Sequence, residues 1–352
     1  MKLLKRNSIA ISVWLGIIFC QQSTNQVYGF ITDSTSGEAL IGANVFIRES
    51  GQGMATDNNG YYVLSNIAIQ EAQLVVSYVG YKRYEKSINF SEIASQNYNI
   101  ALQPESIELM QVDVTAEEIE RLNKIEPSRV NLSPRILKAQ PSLAEPDIFR
   151  TIQSLPGVLT TSEFSTGLVI RGGNTDQNLI LLDGITVYNP SHLGGLFSNF
   201  IVDAVKDAEL IKGGYNAEYG GRLSAVLDIR SREGNRNNFE GSSSVSLLSA
   251  QTTLEGPFLN GAWLVAGRRT YFDKILPLLP VNFDLPYYFY DLQGHVFTDL
   301  NEKDRISLSF YRGVDDLKFK DLDLESDWGN KTLSLSYRRV FNEKLIGIFL
   351  AA

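Results

Sequence analysis

The stretch "RGGNTDQNLILLDG", Arg171 to Gly184, sets a glycine-rich polar turn beside four apolar residues and closes on Asp-Gly. A loop that grips phosphate would open a helix and carry G-x-x-x-x-G-K-[ST] or G-x-G-x-x-G. Neither spacing is present. The run "LILL" is short, apolar and bounded by turn residues, which predicts a buried strand. Whether the glycines hold a ligand or only shape a turn is decided by the segments around them.

The 352 residues leave room for two or three domains, and a net charge of −8 supplies no basic stripe for nucleic acid. The two histidines, His192 in "PSHLGGL" and His295 in "GHVFTD", have no ligand partner at zinc spacing. A turn or surface role is expected for both, with no metal and no cofactor. G-x-S-x-G, H-E-x-x-H, a Walker loop and a catalytic cysteine are all missing. Adjacent Ser191 and His192 do not make a triad. No catalytic residue is assigned, and the chain is not expected to be an enzyme.

Residues 1–22 have the pattern of an export signal. "MKLLKR" is followed by the apolar stretch Ile9 to Phe19, which is too short to span a bilayer. The single cysteine, Cys20, ends this segment behind bulky Phe19, where a lipoprotein signal wants a small residue. Without a cysteine pair, disulfides do not hold the body together, which suits a bacterial envelope.

Residues 26–103 are strand and turn throughout: "VYGFITD", "NVFIRES", "GYYVLSNI", "AQLVVSYVG" and "KRYEKSINF", separated by "STSGE", "GQG" and "TDNNG". Their spacing predicts a β-sandwich. "DNNG" lacks the downstream glutamate of a calcium loop and is expected to be a tight hairpin turn. Residues 104–130 form an acidic linker whose one apolar cluster lies in "LMQVDVTA". That cluster is either solvated linker or an unpaired strand able to add to a partner's sheet edge.

Residues 131–234 predict a compact α+β unit. In "EPDIFRTIQSLPG", Ile148, Phe149, Ile152 and Leu155 share a helical face, with Pro146 in the first turn and Pro156-Gly157 as the stop. "GLVIRGG", "NLILLDGITVY", "AELIKGG" and "RLSAVLDIRS" predict strands, and "NFIVDAVKD" a short helix. Residues 238–352 then supply about seven strands of mostly eight to twelve residues. Ile306, Leu308 and Phe310 alternate with Ser307, Ser309 and Tyr311, and Leu333, Leu335 and Tyr337 repeat the pattern. Period-two alternation of this kind fits a transmembrane β-barrel, and a soluble sandwich gives it too.

Two resemblances follow from these residues. "GFITDSTSGEALIGANVFI", "ATDNNGYYVLSNI" and "LVVSYVGYK" resemble the carboxypeptidase regulatory-like domain, a non-catalytic sandwich. "DIFRTIQSLPGV", "LVIRGGNTDQNLILLDGITVYNPSHL" and "FIVDAVKDAELIKGGYNAEYGGRLSAVLDIRSREG" resemble the plug domain of TonB-dependent outer-membrane receptors. The fold class is therefore multidomain: an N-terminal β-sandwich, an α+β plug, and the first strands of an antiparallel transmembrane β-barrel. Such a barrel has about 22 strands, so the chain is expected to be a fragment.

The resemblance implies a plug motif of structural or gating character at Arg171, Gly172, Gly173, Asp183, Gly184, Gly213, Gly214, Tyr219, Gly220 and Gly221. Arg171 is expected to pair with an acidic group inside the barrel in preference to touching ligand. The resemblance also places a TonB-box-like segment at Leu109, Met110, Gln111, Val112, Asp113, Val114, Thr115 and Ala116. Implied partners are TonB and its inner-membrane motor, outer-membrane lipid and an extracellular nutrient, with room for a surface lipoprotein. The nutrient classes are metal chelates such as siderophores, cobalamin, oligosaccharides and peptides. "NLILLDGITVYN" does not look like the signature of the starch-utilisation branch, so glycan import is not favoured. The implied location is the outer membrane, with the N-terminal domain periplasmic. The alternative is a secreted or surface-held sandwich that binds without transport.

Overall fold

The computed structural model describes residues 25–91, 93–105, 129–139, 145–162, 165–246, 248–275, 286–319, 323–342 and 345–352. The expected signal at 1–22 and the segment Leu109–Ala116 lie outside the described residues. Two compact units divide the chain, Met1–Glu108 and Leu109–Ala352.

In the first unit, β1 (Asn25–Asp33), β2 (Asn44–Ile47), β3 (Gly53–Ala55), β4 (Tyr61–Ile67), β5 (Glu71–Ser77), β6 (Tyr84–Asn89), β7 (Ser95–Asn97) and β8 (Ile100–Leu102) form two sheets. One runs β4-β1-β7, with β8 also on β1, and the other β3-β2-β5-β6. β1 buries alternate residues, Val27, Gly29 and Ile31. Val27 and Ile31 join Val45, Ile47, Leu64 and Leu74 in one cluster drawn from both sheets, so the sheets pack face to face. In the Asp57–Gly60 turn, the Asp57 carboxylate accepts from the Asn59 and Tyr61 amides, both at 2.8 Å. The turn is tight as expected, but it is not a hairpin: β3 and β4 belong to different sheets.

The second unit begins with a module of β9 (Arg129–Leu132), β10 (Val158–Thr160), β11 (Leu168–Ile170), β12 (Leu179–Leu182), β13 (Ile185–Thr186), β14 (Ser191–His192), β15 (Phe197–Ser198), β16 (Val205–Ile211) and β17 (Val226–Ser231), with helices at Pro134–Ala139 and Ile148–Gln153. Its main sheet runs β13-β12-β17-β16-β9, and β12 lies parallel to β17. All four β12 residues are buried. Ile180 and Leu182 face the larger core with Ile148, Phe149 and Ile152, while Leu179 and Leu181 face a second cluster with Ile211 and Val226. Burial on both faces explains a continuous apolar run.

Two local expectations are corrected. Asp147 caps the helix Ile148–Gln153, its carboxylate accepting from the Phe149 amide at 2.8 Å and the Arg150 amide at 3.1 Å. Pro146 therefore precedes the cap and is not in the first turn. "NFIVDAVKD" is a single 3-10 turn at Val202–Ala204 followed directly by β16. Phe200, Ile201, Val202, Ala204 and Val205 are all buried, more than one helical face holds. Pairing of β16 with both β17 and β9 overrides the helical spacing.

The remaining strands, β18 (Glu240–Val245), β19 (Ser249–Phe258), β20 (Gly261–Thr270), β21 (Tyr287–Asp299), β22 (Asp304–Phe319), β23 (Leu324–Asn342) and β24 (Leu345–Ala351), pair in chain order as one antiparallel sheet. β23 has 19 residues against the eight to twelve expected. At about 3.3 Å per residue it reaches roughly 60 Å, well beyond the ~30 Å hydrocarbon core of a bilayer. On β22 the odd residues Ser309, Tyr311 and Asp315 face the module, while Leu308 is 38% exposed; Leu333 and Leu335 on β23 are 62% and 50% exposed. The apolar row points away from the module and the polar row toward it. A soluble sandwich would bury the apolar row instead.

Candidate functional site

The residues singled out by sequence gather mostly at one end of the module sheet. Arg171 and Gly172 have φ of 49° and 81°, and the Gly173 amide donates to the Ile170 carbonyl at 2.9 Å. Two consecutive positive φ values are the type I′ pattern. Asp183 and Gly184 repeat it, at 50° and 81°, between β12 and β13. A Cβ at Gly173 would lie 2.5 Å from Ser224 Cβ, and Ser224 Oγ donates to the Ile170 carbonyl at 2.8 Å. The Arg171 guanidinium lies against Gly213, which Gly214 follows. Tyr219, ahead of Gly220 and Gly221, packs on the Leu179–Val226 cluster with Tyr215. Burial pushes its hydroxyl up to about 12.

The expected Arg171 ion pair is absent among the described residues. Arg171 is exposed, because its left-handed backbone turns the side chain out across Gly213. Asp183 does more than turn the chain. It accepts from the Ser231 amide at 2.8 Å and from Ser231 Oγ at 2.7 Å, and Gln293 Nε2 on β21 donates to the same Oγ at 2.7 Å. That chain of bonds ties the module sheet to the seven-stranded wall.

A dense contact between module and wall surrounds His192. Its imidazole is fully buried, stacked on Phe289 at 4.0 Å between ring centres. Nε2 lies 2.9 Å from Asp291 Oδ1 and Nδ1 lies 2.8 Å from Asp315 Oδ2. Arg268 on β20 bonds Asp291 Oδ2 through Nε at 2.9 Å and Nη2 at 2.5 Å. It also reaches Glu145 Oε1 at 2.6 Å and the Ser198 carbonyl at 2.6 Å. The turn-or-surface reading of His192 is therefore corrected. His295 is likewise a strand residue on the inner face of β21, with Nδ1 2.8 Å from Ser309 Oγ.

A second charged seam lies where the module leads into β18. Glu233 pairs with Arg305 at 3.0 Å and Lys206 at 3.8 Å, and Arg232 with Glu255 at 2.8 Å. Burial alone would raise the Glu233 carboxyl, but Lys206, Arg305 and Arg236 outweigh it and hold it well below the usual carboxylate range. Among the described residues no group of three or more His, Cys, Asp or Glu side chains is placed to hold a metal ion.

Comparison with known proteins decides what the module is. Residues 137–226 match the TonB-dependent receptor plug domain, and residues 27–114 match the CarboxypepD_reg-like domain. The chain carries a TonB-dependent receptor plug. It is similar to TonB-dependent receptor P26 of Formosa agariphila, 29% identical over 62% of this chain and 22% of that protein. TonB-dependent receptor SusC of Bacteroides thetaiotaomicron is 27% identical over 61% of this chain and 22% of its own. The chain thus spans about a fifth of the length of these curated relatives. Among solved structures, the siderophore receptor PirA from Pseudomonas aeruginosa aligns over 64% of this chain and 39% of that one, at 16% identity and a TM-score of 0.45.

Sequence reasoning found the plug's turns and missed its contacts with the wall. His192 was given a turn or surface role, and Glu145 and Glu233 on the plug and Arg268, Asp291, Arg305 and Asp315 on the wall were not singled out. One signal was available for the last four: each is a charge on the inward parity of its strand, where a solvated face would not need it.

Proposed function

We propose that this chain works in TonB-dependent, energised import across an outer membrane, with the plug gating a barrel to which the seven strands belong. The observation that carries this reading is the polarity of the wall. Its apolar row (Leu308, Leu333, Leu335) faces outward, and its charged row (Arg268, Asp291, Arg305, Asp315) bonds the plug. That arrangement suits lipid outside and a polar lumen occupied by a gate. β19 and β20 join through Leu259 and Asn260 alone, while residues 271–286 separate β20 from β21. Short turns suit the periplasmic rim and longer loops the extracellular one.

On this reading the cargo is a large, scarce nutrient: a metal chelate, cobalamin, an oligosaccharide or a peptide. TonB captures Leu109–Ala116 by strand addition and pulls along the chain toward β9. The regulatory-like domain stands in the periplasm, and its matched stretch runs through Val114, over most of the proposed box. The test is Val112→Pro in the complete receptor, since proline removes an amide that strand addition needs. Cargo uptake is expected to fall to background while cargo binding stays unchanged. Normal uptake would refute Leu109–Ala116 as the captured segment.

A further inference from the structure

The bonds around His192 fix its charge. Asp291 Oδ1 accepts from the Tyr311 hydroxyl at 2.7 Å, and Oδ2 accepts from Arg268 Nε and Nη2. Asp315 Oδ1 accepts from the Leu193 amide at 3.0 Å and from the Tyr287 hydroxyl. Apart from His192, donors reach both oxygens of Asp291 and Oδ1 of Asp315, and we read both side chains as acceptors. An ionised carboxylate has no proton to give, and a neutral imidazole has only one. Neutral His192 would aim a lone pair at a carboxylate oxygen within 2.9 Å. Two donating nitrogens require the imidazolium.

The charged surroundings agree. β21 presents Asp291 and Tyr287, β22 presents Asp315 and Tyr311, and β20 presents Arg268. From the plug, Glu145 reaches the same guanidinium. Three carboxylates therefore face one guanidinium in a buried cluster, and the imidazolium supplies the second positive charge. β14 and β15 are a two-residue hairpin pair; this ring, the Ser198 carbonyl on Arg268, the Leu193 amide on Asp315 and the packing of Phe197 on Phe289 fasten the hairpin to the wall.

We propose that His192 is a proton-operated latch: as an imidazolium it ties the plug hairpin to β21 and β22, and loss of its proton removes that tie and loosens the hairpin's hold on the wall. What the release accomplishes rests on the gating reading above; the latch itself does not. Burial by itself pushes this imidazole down, but the Asp291 charge and the bonds from Asp291 and Asp315 outweigh burial and the Arg268 charge, leaving it above the ordinary value of 6.5. The sign follows from linkage. A raised base contributes fully below its unfolded value of about 6.5 and loses that contribution as pH climbs through the folded value. The latch is closed below the folded value and opens as pH climbs through it.

The chain has two histidines, so 15N-labelled histidine gives two sets of ring signals in the micelle-embedded chain, and His295→Gln assigns them. His192 is expected to carry protons on both ring nitrogens at pH 6 and to titrate above 6.5. Amide exchange in the 187–199 segment, corrected for intrinsic base catalysis, is expected to accelerate at least tenfold across that titration. His192→Gln is expected to abolish the step. Should His192→Gln not fold, Asp315→Asn serves instead and is expected to lower the His192 midpoint. A singly protonated ring at pH 6, or an exchange step unchanged in either variant, would overturn the latch. None of these readouts involves import, so failure of the import reading is seen separately.

Discussion

Replacing Arg268 by Met removes the one guanidinium in the His192 cluster while keeping most of the side chain's apolar volume. Two carboxylates lose this partner: Asp291, with no exposed side-chain surface, which keeps His192 and the Tyr311 hydroxyl, and Glu145, 8% exposed, which keeps Ser249 Oγ. The Ser198 carbonyl loses a bond of 2.6 Å as well. Removing one partner of a buried ion pair costs about 3–5 kcal/mol, because the other charge stays buried without compensation. That is roughly two to three and a half decades in an opening equilibrium at about 1.4 kcal/mol per decade. The assay is native-state hydrogen exchange at the helix Ile148–Gln153, whose cap Asp147 also accepts from the Ser198 amide at 2.7 Å. Adding Glu145→Gln to Arg268→Met removes one stranded charge, and a coupling of about 1–3 kcal/mol is expected. A loss below about 1 kcal/mol in Arg268→Met, or simple additivity of the two changes, would refute the claim that this cluster holds the plug to the wall.

Further predictions concern the seam, the outer face and the turn. Glu233 has a depressed carboxyl, so its contribution is whole above the unfolded value of about 4.3 and is lost as pH falls toward the folded one. Acid unfolding of the plug is expected to shift to higher pH midpoints when Arg305→Gln removes a partner, and an unmoved midpoint would contradict the pairing. Leu335→Arg is expected to cost about 2–4 kcal/mol if the residue lies near the bilayer midplane, measured by chemical unfolding from lipid vesicles; an effect near zero would place Leu335 off the lipid face. Gly173→Ala drives a Cβ to within 2.5 Å of Ser224, and its melting temperature is expected to fall more than that of Gly173→Ala combined with Ser224→Gly. Equal melting would argue against the close approach.

What the sequence disclosed depended on whether the signal was local. "LILL" betrayed a buried strand because both faces of β12 are covered within the module. The alternation from Ile306 to Tyr311 disclosed the two faces of the wall, since period two is a property of one strand. "NFIVDAVKD" misled because Ile201 and Val205 repeat at helical spacing, and only pairing with β9 and β17 settles the matter. The role of His192 was out of reach for a different reason. Its partners Asp291 and Asp315 lie 99 and 123 residues away, and neither spacing resembles a local ligand motif. At Arg171 the turn rests on the residue's backbone, with φ of 49°, and among the described residues its side chain is exposed.

The central claim is that the plug must leave, or move against, the wall for cargo to pass. Asn330 Nδ2 on β23 donates to the Asn189 carbonyl on the plug at 2.6 Å, and both residues are half-buried, within reach of a reagent. Cysteines at these two positions, in a complete receptor with no other cysteine, can be bridged by a short reducible thiol cross-linker. Uptake of the receptor's own cargo is then measured before bridging, after bridging and after reduction. The account predicts unchanged binding throughout, uptake abolished in the bridged protein, and recovery on reduction. Full uptake through a quantitatively bridged receptor would contradict it.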